Sequence, residues 1–184
     1  MLLTLFALSA PVDAKRLGID GYSQDGCICH GRVESLITEV TMTSPRVFLT
    51  SNGIAPIKVT VAHPDLTAAG LNVSADGGSF GAGSNTQLMA GEVTHNQPET
   101  LSGGSVEFKF VWRAPVTPGL YTLSVAGNAV NQDGDRSDDD DWAFGDDLQI
   151  VVMPPGPAGP PPVAWAGLLC LWGWRRFDRQ KTRV

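Results

Sequence analysis

Cysteine and histidine are scarce in this chain of 184 residues, which has three of each. It has no His-Glu-x-x-His motif and no carboxylates paired beside a plausible base. The glycine-rich run 77–83 precedes no amphipathic helix, which a phosphate-binding loop or a serine nucleophile elbow would require. Hydrolysis and group transfer are therefore not expected, and the run is predicted to be a loop.

A long apolar run is also missing. The apolar C-terminal segment 163–174 would be about 18 Å long as a helix, whereas the hydrocarbon core of a bilayer is about 30 Å thick. A proline- and glycine-rich spacer, 153–162, precedes it, and Arg175 and Arg176 begin a basic tail. We predict that 163–184 is a short membrane anchor with its tail inside. The arrangement resembles the three-part sorting signals of exported bacterial proteins, whose tails can be cleaved; a simple membrane tail and an interfacial aromatic patch are alternatives.

The N-terminal residues 1–14 have the composition of a signal peptide. An apolar stretch, 2–10, is followed by small residues, and cleavage after Ala14 would leave Lys15 as the first residue. No Lys or Arg precedes the apolar stretch, so a buried core segment is the alternative. Export brings cysteines into an oxidising compartment, where they are paired, metallated or bound to haem. We predict a location in the cell envelope or at the cell surface.

The region between these ends is acidic. Residues 15–162 contain eight Lys and Arg and seventeen Asp and Glu, which gives a net charge of −9. Such a surface repels nucleic acid and anionic lipid, so no nucleic-acid partner is expected. The expected partners are the membrane, through the C-terminal segment, and an unidentified protein or surface component.

An alternation of apolar and polar residues dominates 33–152 and predicts an all-β domain. The clearest example is 106–113, in which every second residue is Val, Phe or Trp. Residues 77–104 are rich in Gly, Ser, Asn and Thr and are expected to form long loops with one short strand. We predict an antiparallel β-sandwich of the immunoglobulin-like type. Its other strands are predicted at 36–42, 46–49, 57–61, 70–75, 121–125 and 148–152, with turn signals between them.

The most informative motif is Cys27-Ile28-Cys29-His30, in the N-terminal segment 15–32. It is one residue shorter than Cys-x-x-Cys-His, in which two thiols attach to the vinyl groups of haem and the histidine binds the iron. The same three groups could instead hold zinc or copper. The two thiols could also close a local disulfide. Haem c, a transition metal and a disulfide are therefore the alternatives.

A second candidate site is an acidic segment. Oxygen-bearing side chains recur at every second position from 131 to 139, and Ca²⁺ takes about six to eight oxygen ligands. The pattern departs from an EF-hand because Arg136 stands where Gly belongs and Trp142 stands where a bidentate Glu belongs. A calcium loop and a solvated acidic loop are the two interpretations. The candidate calcium ligands are Asn131, Asp133, Asp135, Ser137 and Asp139.

Five short motifs follow one another along the chain. They are Cys-Ile-Cys-His-Gly at 27–31, Val-Ala-His-Pro at 61–64, Thr-His at 94–95, Phe-Val-Trp-Arg-Ala-Pro at 110–115 and Ala-Gly-Asn-Ala-Val-Asn at 126–131. Together they resemble a family of exported bacterial proteins with a Reeler (reelin N-terminal-like) domain, a cysteine–histidine motif in front and various C-terminal anchors. The resemblance covers about residues 21–152. It implies a β-sandwich at the cell surface, and in that family haem binding is inferred mainly from a Cys-x-x-Cys-His spacing.

The resemblance places the three histidines, His30, His63 and His95, at family motifs. A site made of Cys27, Cys29, His30 and one of the other two histidines would be a four-ligand metal centre or a haem with two histidine ligands. The alternative is that His63 serves a turn and His95 faces solvent. Two functions follow: an exported redox or metal-binding module, and a surface binding or structural module whose two N-terminal cysteines form a disulfide.

Overall fold

The computed structural model describes residues 16–135 and 138–156, and this part of the chain contains twelve β-strands. One turn of 3-10 helix, Ile28–His30, is the only helical element of the described residues. All twelve strands belong to a compact unit that ends at Pro154, and of the second unit only Pro155 and Gly156 are described. The strands are β1 (Glu39–Thr43), β2 (Phe48–Thr50), β3 (Ile54–Ala62), β4 (Ala68–Ala75), β5 (Ser79–Gly81), β6 (Thr86–Met89), β7 (Glu92–His95), β8 (Glu99–Thr100), β9 (Ser105–Arg113), β10 (Gly119–Val130), β11 (Asp141–Phe144) and β12 (Leu148–Met153).

The strands form two sheets, which confirms the predicted all-β sandwich. The first sheet has the order β1-β3-β9-β5, and the second has the order β2-β12-β10-β4-β7-β6. Strand β11 pairs with β10, and β8 pairs with β4. Neighbouring strands are antiparallel except β2 and β12, which run parallel. Because β9 and β10 belong to different sheets, the chain crosses between the two layers after Arg113.

The hydrophobic core lies between the two sheets. In β9, Phe108, Phe110 and Trp112 are buried while the residues between them are exposed, as the alternation predicts. The register of β3 and β9 places Ile57 beside Phe110 and Val59 beside Phe108. Burial of side chains of this size stabilises a fold by roughly 1.5–3 kcal/mol each. These two strands therefore form the centre of the first sheet.

Strand β10 is longer than its apolar alternation indicates. Its first half pairs with β12, its second half pairs with β11, and β4 pairs with it from Leu123 to Val130. The second half is buried on successive residues, 125–129, and not on every second one. A strand covered on both faces shows no alternation. The second face of β10 is covered by the N-terminal segment, and this is where the candidate site lies.

Residues 77–104 contain four strands, so the prediction of long loops with one short strand is wrong. The predicted loop 77–83 includes β5, which pairs with the end of β9. Strands β6 and β7 form a hairpin, and β7 pairs with β4. Strands β5, β6 and β8 bury at most one residue each, and β7 is buried on three successive residues, so none of them shows an apolar alternation. Their ladder hydrogen bonds define them instead. Similarly, β1 begins at Glu39 and not at Leu36, which is 99% exposed.

Several predicted segments lie outside the described residues. These are the predicted signal peptide 1–14, most of the spacer 153–162 and the predicted anchor 163–184. Within the described ranges, no helix has the length and apolar character needed to cross a bilayer.

The N-terminal segment 16–30, which we call the strap, lies on the outer face of the second sheet. Side chains of the sheet bind its backbone: Tyr22 N–H donates to Asn72 Oδ1 at 2.9 Å, and Asn72 Nδ2 donates to the Ile19 carbonyl at 3.0 Å. Ile19 N–H in turn donates to Thr94 Oγ1 at 3.0 Å. Because these bonds come from side chains and not from a strand ladder, the strap forms a third layer over β4 and β7.

Candidate functional site

A cavity of about 400 Å³ lies between the strap and the second sheet. The strap contributes Cys27, Cys29 and His30 to its wall, and His95 contributes from the end of β7. The loop 131–135 lines the same cavity. Small-molecule sites have volumes of about 300–1,000 Å³. The structure therefore brings four of the five predicted cofactor-binding residues to one cavity of suitable size.

Trp142 of β11 holds the cysteine–histidine motif in place through contacts at both of its ends. Its ring occupies the space where a Cβ at Gly26 would stand, and Gly26 has a φ of 80°, which favours glycine. Trp142 Nε1 donates to the Gly31 carbonyl at 2.8 Å. Between these two contacts, His30 N–H donates to the Cys27 carbonyl at 2.8 Å and closes the 3-10 turn. The motif is thus held at both ends by one side chain.

The two thiols of the motif have different environments. Cys27 is 8% exposed and packs in a small cluster with Ala126 and Trp142, whereas Cys29 is half-buried. Burial, and to a smaller extent the neighbouring Cys29, raises the pKa of the Cys27 thiol to about 12. Both residues are free cysteines in this structure, so the local disulfide that was one alternative is not formed here.

His30 is held by a buried carboxylate. Its Nδ1 lies 2.8 Å from Oδ2 of Asp140, whose side chain is 1% exposed. The other carboxylate oxygen, Oδ1, accepts a hydrogen bond from Asn131 N–H at 3.1 Å. Both oxygens of Asp140 are therefore bonded, as a buried carboxylate requires. The same side chain joins the motif to the loop at the cavity wall.

His95 is buried, with 7% exposure, so the alternative that it faces solvent is wrong. Its Nδ1 lies 3.1 Å from the backbone nitrogen of Leu71 and 3.3 Å from the Leu71 carbonyl oxygen. A Cβ at Gly70 would stand 2.5 Å from the His95 ring and 2.8 Å from Asn128 Oδ1. Only glycine at position 70 leaves room for both side chains, and all three residues line the cavity.

His63 does not line the cavity. Its Nδ1 accepts hydrogen bonds from the backbone N–H groups of Asp65 at 3.1 Å and Leu66 at 3.0 Å, and its Nε2 lies 2.9 Å from Asp141 Oδ2. The residue is 4% exposed. His63 therefore serves the turn after β3, which was one of the two interpretations of this histidine. The structure does not join it to the cysteine–histidine motif.

The acidic loop bonds largely to itself in the described residues. Asp133 N–H donates to Asn131 Oδ1 at 2.9 Å, and Asp135 N–H donates to Asp133 Oδ1 at 2.8 Å. Asn131 Nδ2 donates to Asp133 Oδ2 at 3.0 Å, so an amide donor points at this carboxylate. Ser137 lies outside the described residues, and Asp139 lies in the turn that leads to Asp140. Calcium binding by this loop stays a prediction.

No group of three or more His, Cys, Asp or Glu side chains within 16–135 and 138–156 is arranged to hold a metal ion by itself. Four residues of the site are not predicted from the sequence: Gly70, Asn128, Asp140 and Trp142. Asn128 lies in the motif Ala-Gly-Asn-Ala-Val-Asn, and Asp140 lies in a run of four aspartates, 138–141. Both segments stand out in the sequence, but neither pattern indicates a contact with the cysteine–histidine motif. Gly70 had no signal, because a glycine in a predicted strand reveals its role only when the opposing side chains are known.

No family model matches the sequence, and no curated protein matches it. The chain is similar to the reeler domain of human F-spondin, with a TM-score of 0.45 and 16% identity over 62% of this chain and 89% of that one. A structure of the Reelin-N domain of F-spondin gives 0.45 and 17% over 68% and 94%. The seventh ScaB type I cohesin from Pseudobacteroides cellulosolvens gives 0.43 and 12% over 66% and 97%.

Proposed function

We propose that this protein is an exported β-sandwich module that binds a c-type haem covalently in the cavity between the strap and the second sheet. Cys27 and Cys29 would form the thioether bonds, and His30 would bind the iron through Nε2. The observation that carries the proposal is the 2.8 Å contact between His30 Nδ1 and the buried carboxylate of Asp140. A carboxylate at Nδ1 leaves Nε2 as the ligand nitrogen. The bound group would supply a one-electron couple at its iron.

The surroundings of Cys27 favour haem over a thiolate-bound metal. Cys27 is buried against Ala126 and Trp142, both apolar at the contact. A zinc or copper thiolate at this place would bring a charged sulfur into apolar surroundings, which is unfavourable without polar partners. A thioether sulfur carries no charge, so the same burial does not oppose it.

The cavity wall also suits a flat ligand with acidic side groups. Gly70 of β4 and Asn128 of β10 are direct neighbours across the two strands, and the absence of a side chain at Gly70 keeps this part of the sheet surface open. Arg16 lines the cavity, and a guanidinium pairs well with carboxylates such as haem propionates. His95 lines the cavity as well and is the candidate second ligand of the iron.

The test of this function is covalent attachment. The full chain is produced in a bacterium that has the machinery for haem c attachment, and we expect its Soret absorption to survive extraction with acidified acetone. Cys27→Ala and Cys29→Ala should each weaken the attachment, and the double variant should release all haem. The matched control is Cys170→Ser, which removes the cysteine outside the motif and should leave attachment unchanged.

A wild-type protein without Soret absorption would contradict the proposal. Elemental analysis that then finds stoichiometric zinc or copper would identify the transition-metal alternative. Peptide mapping that finds Cys27 linked to Cys29 in a metal-free protein would identify the structural alternative instead, in which the sandwich acts as a surface binding module.

A further inference from the structure

The contacts of the buried carboxylate of Asp140 go beyond holding one ligand. Its side chain is 1% exposed, and each of its oxygens has a different partner: Oδ2 contacts His30 Nδ1, and Oδ1 accepts from Asn131 N–H. His30 and Asn131 belong to segments that are far apart in the chain. Asp140 is therefore the point at which the strap and the loop 131–135 are joined.

The contact with Asp140 decides which nitrogen of His30 carries the proton. An ionised carboxylate only accepts hydrogen bonds, so the Nδ1 of His30 must carry a hydrogen. In a neutral imidazole, Nε2 then has a lone pair available for a metal. No hydrogen-bond partner of His30 Nε2 is found among the described residues. His30 is thus held with its proton on Nδ1, which leaves Nε2 available as a ligand nitrogen.

His63 is held in the opposite form, although it also contacts an aspartate. Its Nδ1 accepts hydrogen bonds from two backbone N–H groups, those of Asp65 and Leu66, so Nδ1 carries no hydrogen. Nε2 then carries the proton and donates to Asp141 at 2.9 Å. Asp140 and Asp141 are adjacent in sequence, yet they hold two histidines in opposite tautomers. This contrast provides a matched control within the chain.

We propose that Asp140 is a positioning residue, which fixes His30 as its Nδ1–H tautomer and couples this ligand to the loop 131–135 at the cavity. The effect of Asp140 on the iron rests on the proposed function, whereas its effect on the tautomer of His30 concerns the protein alone. Through Asp140, a displacement of the loop at Asn131 would change the hydrogen bond on His30. The loop would therefore modulate the electron-donating strength of the His30 imidazole toward a bound iron, since a carboxylate partner raises the basicity of a ligating imidazole.

The first test uses the full chain without haem. Nitrogen-15 NMR of the imidazoles, under mildly alkaline conditions, should show His30 as the Nδ1–H tautomer and His63 as the Nε2–H tautomer. Asp140→Asn should reduce the Nδ1–H population of His30 and leave His63 unchanged, because the new amide can donate to Nδ1. Asp141→Asn should leave both tautomers unchanged, because the two backbone N–H groups that bond to His63 Nδ1 remain and the new amide oxygen can accept from Nε2–H. Asp140→Glu, which keeps a carboxylate, should retain part of the wild-type signal of His30. It provides a second variant if Asp140→Asn fails to fold.

The second test uses the haem-loaded protein. Asp140→Asn should raise the midpoint potential, because a neutral partner weakens the hydrogen bond to His30 and the imidazole then stabilises oxidised iron less. Asp141→Asn should leave the potential unchanged.

The two tests distinguish the two proposals. A wild-type protein without haem would overturn the proposed function, and the NMR measurement would still decide the role of Asp140. If His30 carries its proton on Nε2 in the wild type, or if Asp140→Asn changes neither the tautomer nor the potential of a haem-loaded protein, the positioning role is wrong while haem binding stands.

Discussion

Single residues determine how tightly the strap can approach the sheet. Gly26 and Gly70 stand where a side chain would collide with Trp142 and with His95, respectively. One glycine lets Trp142 pack under the motif, and the other makes room at the cavity wall. The packing of Trp142 and His95 at the site therefore requires glycine at both positions.

Replacement of Gly26 by alanine should disturb the site more than a matched replacement elsewhere in the strap. Gly21 has nearly the same backbone, with a φ of 81° against 80° for Gly26, but no heavy atom within 4 Å of the added Cβ. Gly21→Ala should lower the free energy of unfolding by about 1–2 kcal/mol, the cost of a left-handed alanine. Gly26→Ala should lower it by a further 1–3 kcal/mol or so, because Trp142 is overpacked. Urea denaturation measures the difference, and equal effects of the two variants would contradict the packing described for Trp142.

The burial of Cys27 predicts that its thiol stays protonated up to an unusually high pH in the haem-free protein. With a pKa raised to about 12, the buried Cys27 thiol stays protonated at pH 8, so iodoacetamide should modify the more exposed Cys29 first. Because the folded pKa lies above the ordinary value of 9.0, the folded state retains a proton that the unfolded chain loses. The contribution of the protonated Cys27 thiol to the free energy of unfolding is complete below pH 9 and is lost as the pH rises from 9 towards 12.

Peptide mapping after timed alkylation checks the order of modification. Comparison of unfolding curves for the wild type and Cys27→Ala checks the alkaline loss, which should be smaller in the variant; Cys170→Ser is the control. Equal alkylation rates of Cys27 and Cys29 in the folded protein would show that Cys27 is not buried as described.

At the scale of elements, the strap depends on polar side chains of the second sheet. Asn72 and Thr94 are fully buried although they lie on the outer face of that sheet. They bind the backbone of the strap, and Glu92 Oε2 accepts from Gly21 N–H at 2.7 Å. The sheet is stabilised by its ladders and its core, whereas the strap is stabilised by these side-chain bonds. The two can therefore be separated by mutation.

Asn72→Ala should loosen the strap and leave the sandwich folded. The variant removes the acceptor of Tyr22 N–H and the donor to the Ile19 carbonyl, and each net hydrogen bond contributes about 0.5–1.5 kcal/mol. Amide hydrogen exchange should become faster in the strap but remain slow in β9 and β10. Asn96→Ala, the same chemical change at an exposed position, should leave the strap unchanged. Faster exchange throughout the sandwich would mean that the strap and the sheets unfold as one unit.

At the scale of the whole molecule, the protein is an acidic β-sandwich with a site on one outer face. The chain carries a formal charge of −6 at pH 7, and the site lies on the second sheet under the strap, away from the core between the sheets. A site of this kind leaves the core free to stabilise the fold. The predicted anchor follows β12 through the proline-rich spacer, so the sandwich and the anchor are expected to be linked by a stiff segment.

Processing at the two ends is a prediction for the native protein. We expect export to remove residues 1–14, so that the mature chain begins at Lys15, because the apolar stretch and Ala14 have the pattern of a signal peptide. We also expect a sorted protein to end before Val163. Mass spectrometry of protein isolated from its native envelope measures both ends. An intact N-terminus or an intact tail would contradict the corresponding prediction.

Local sequence patterns predict some strands of the sandwich and miss others. The strands around Phe108 and Ile57 were predicted correctly because a strand with one buried face must alternate. The region 77–104 was not, because its short strands are defined by pairing partners and not by their own side chains. Asp140 belongs to a run of four aspartates, 138–141, which was interpreted as part of a solvated or calcium-binding loop. Nothing in the neighbouring sequence indicates that Asp140 is almost wholly buried against a histidine.

The sequence by itself determined the β-sandwich and the position of the cysteine–histidine motif, since alternation and adjacency are local properties of the chain. Only the tertiary structure decided which histidine joins that motif. His95 reaches the cavity because β7 pairs with β4 and ends beside Leu71 and Gly70. His63 is engaged by its own turn and by Asp141. Asp140 lies 110 residues from His30 in sequence, and only the packing of the strap against β11 brings a buried carboxylate to the imidazole that we propose as the iron ligand.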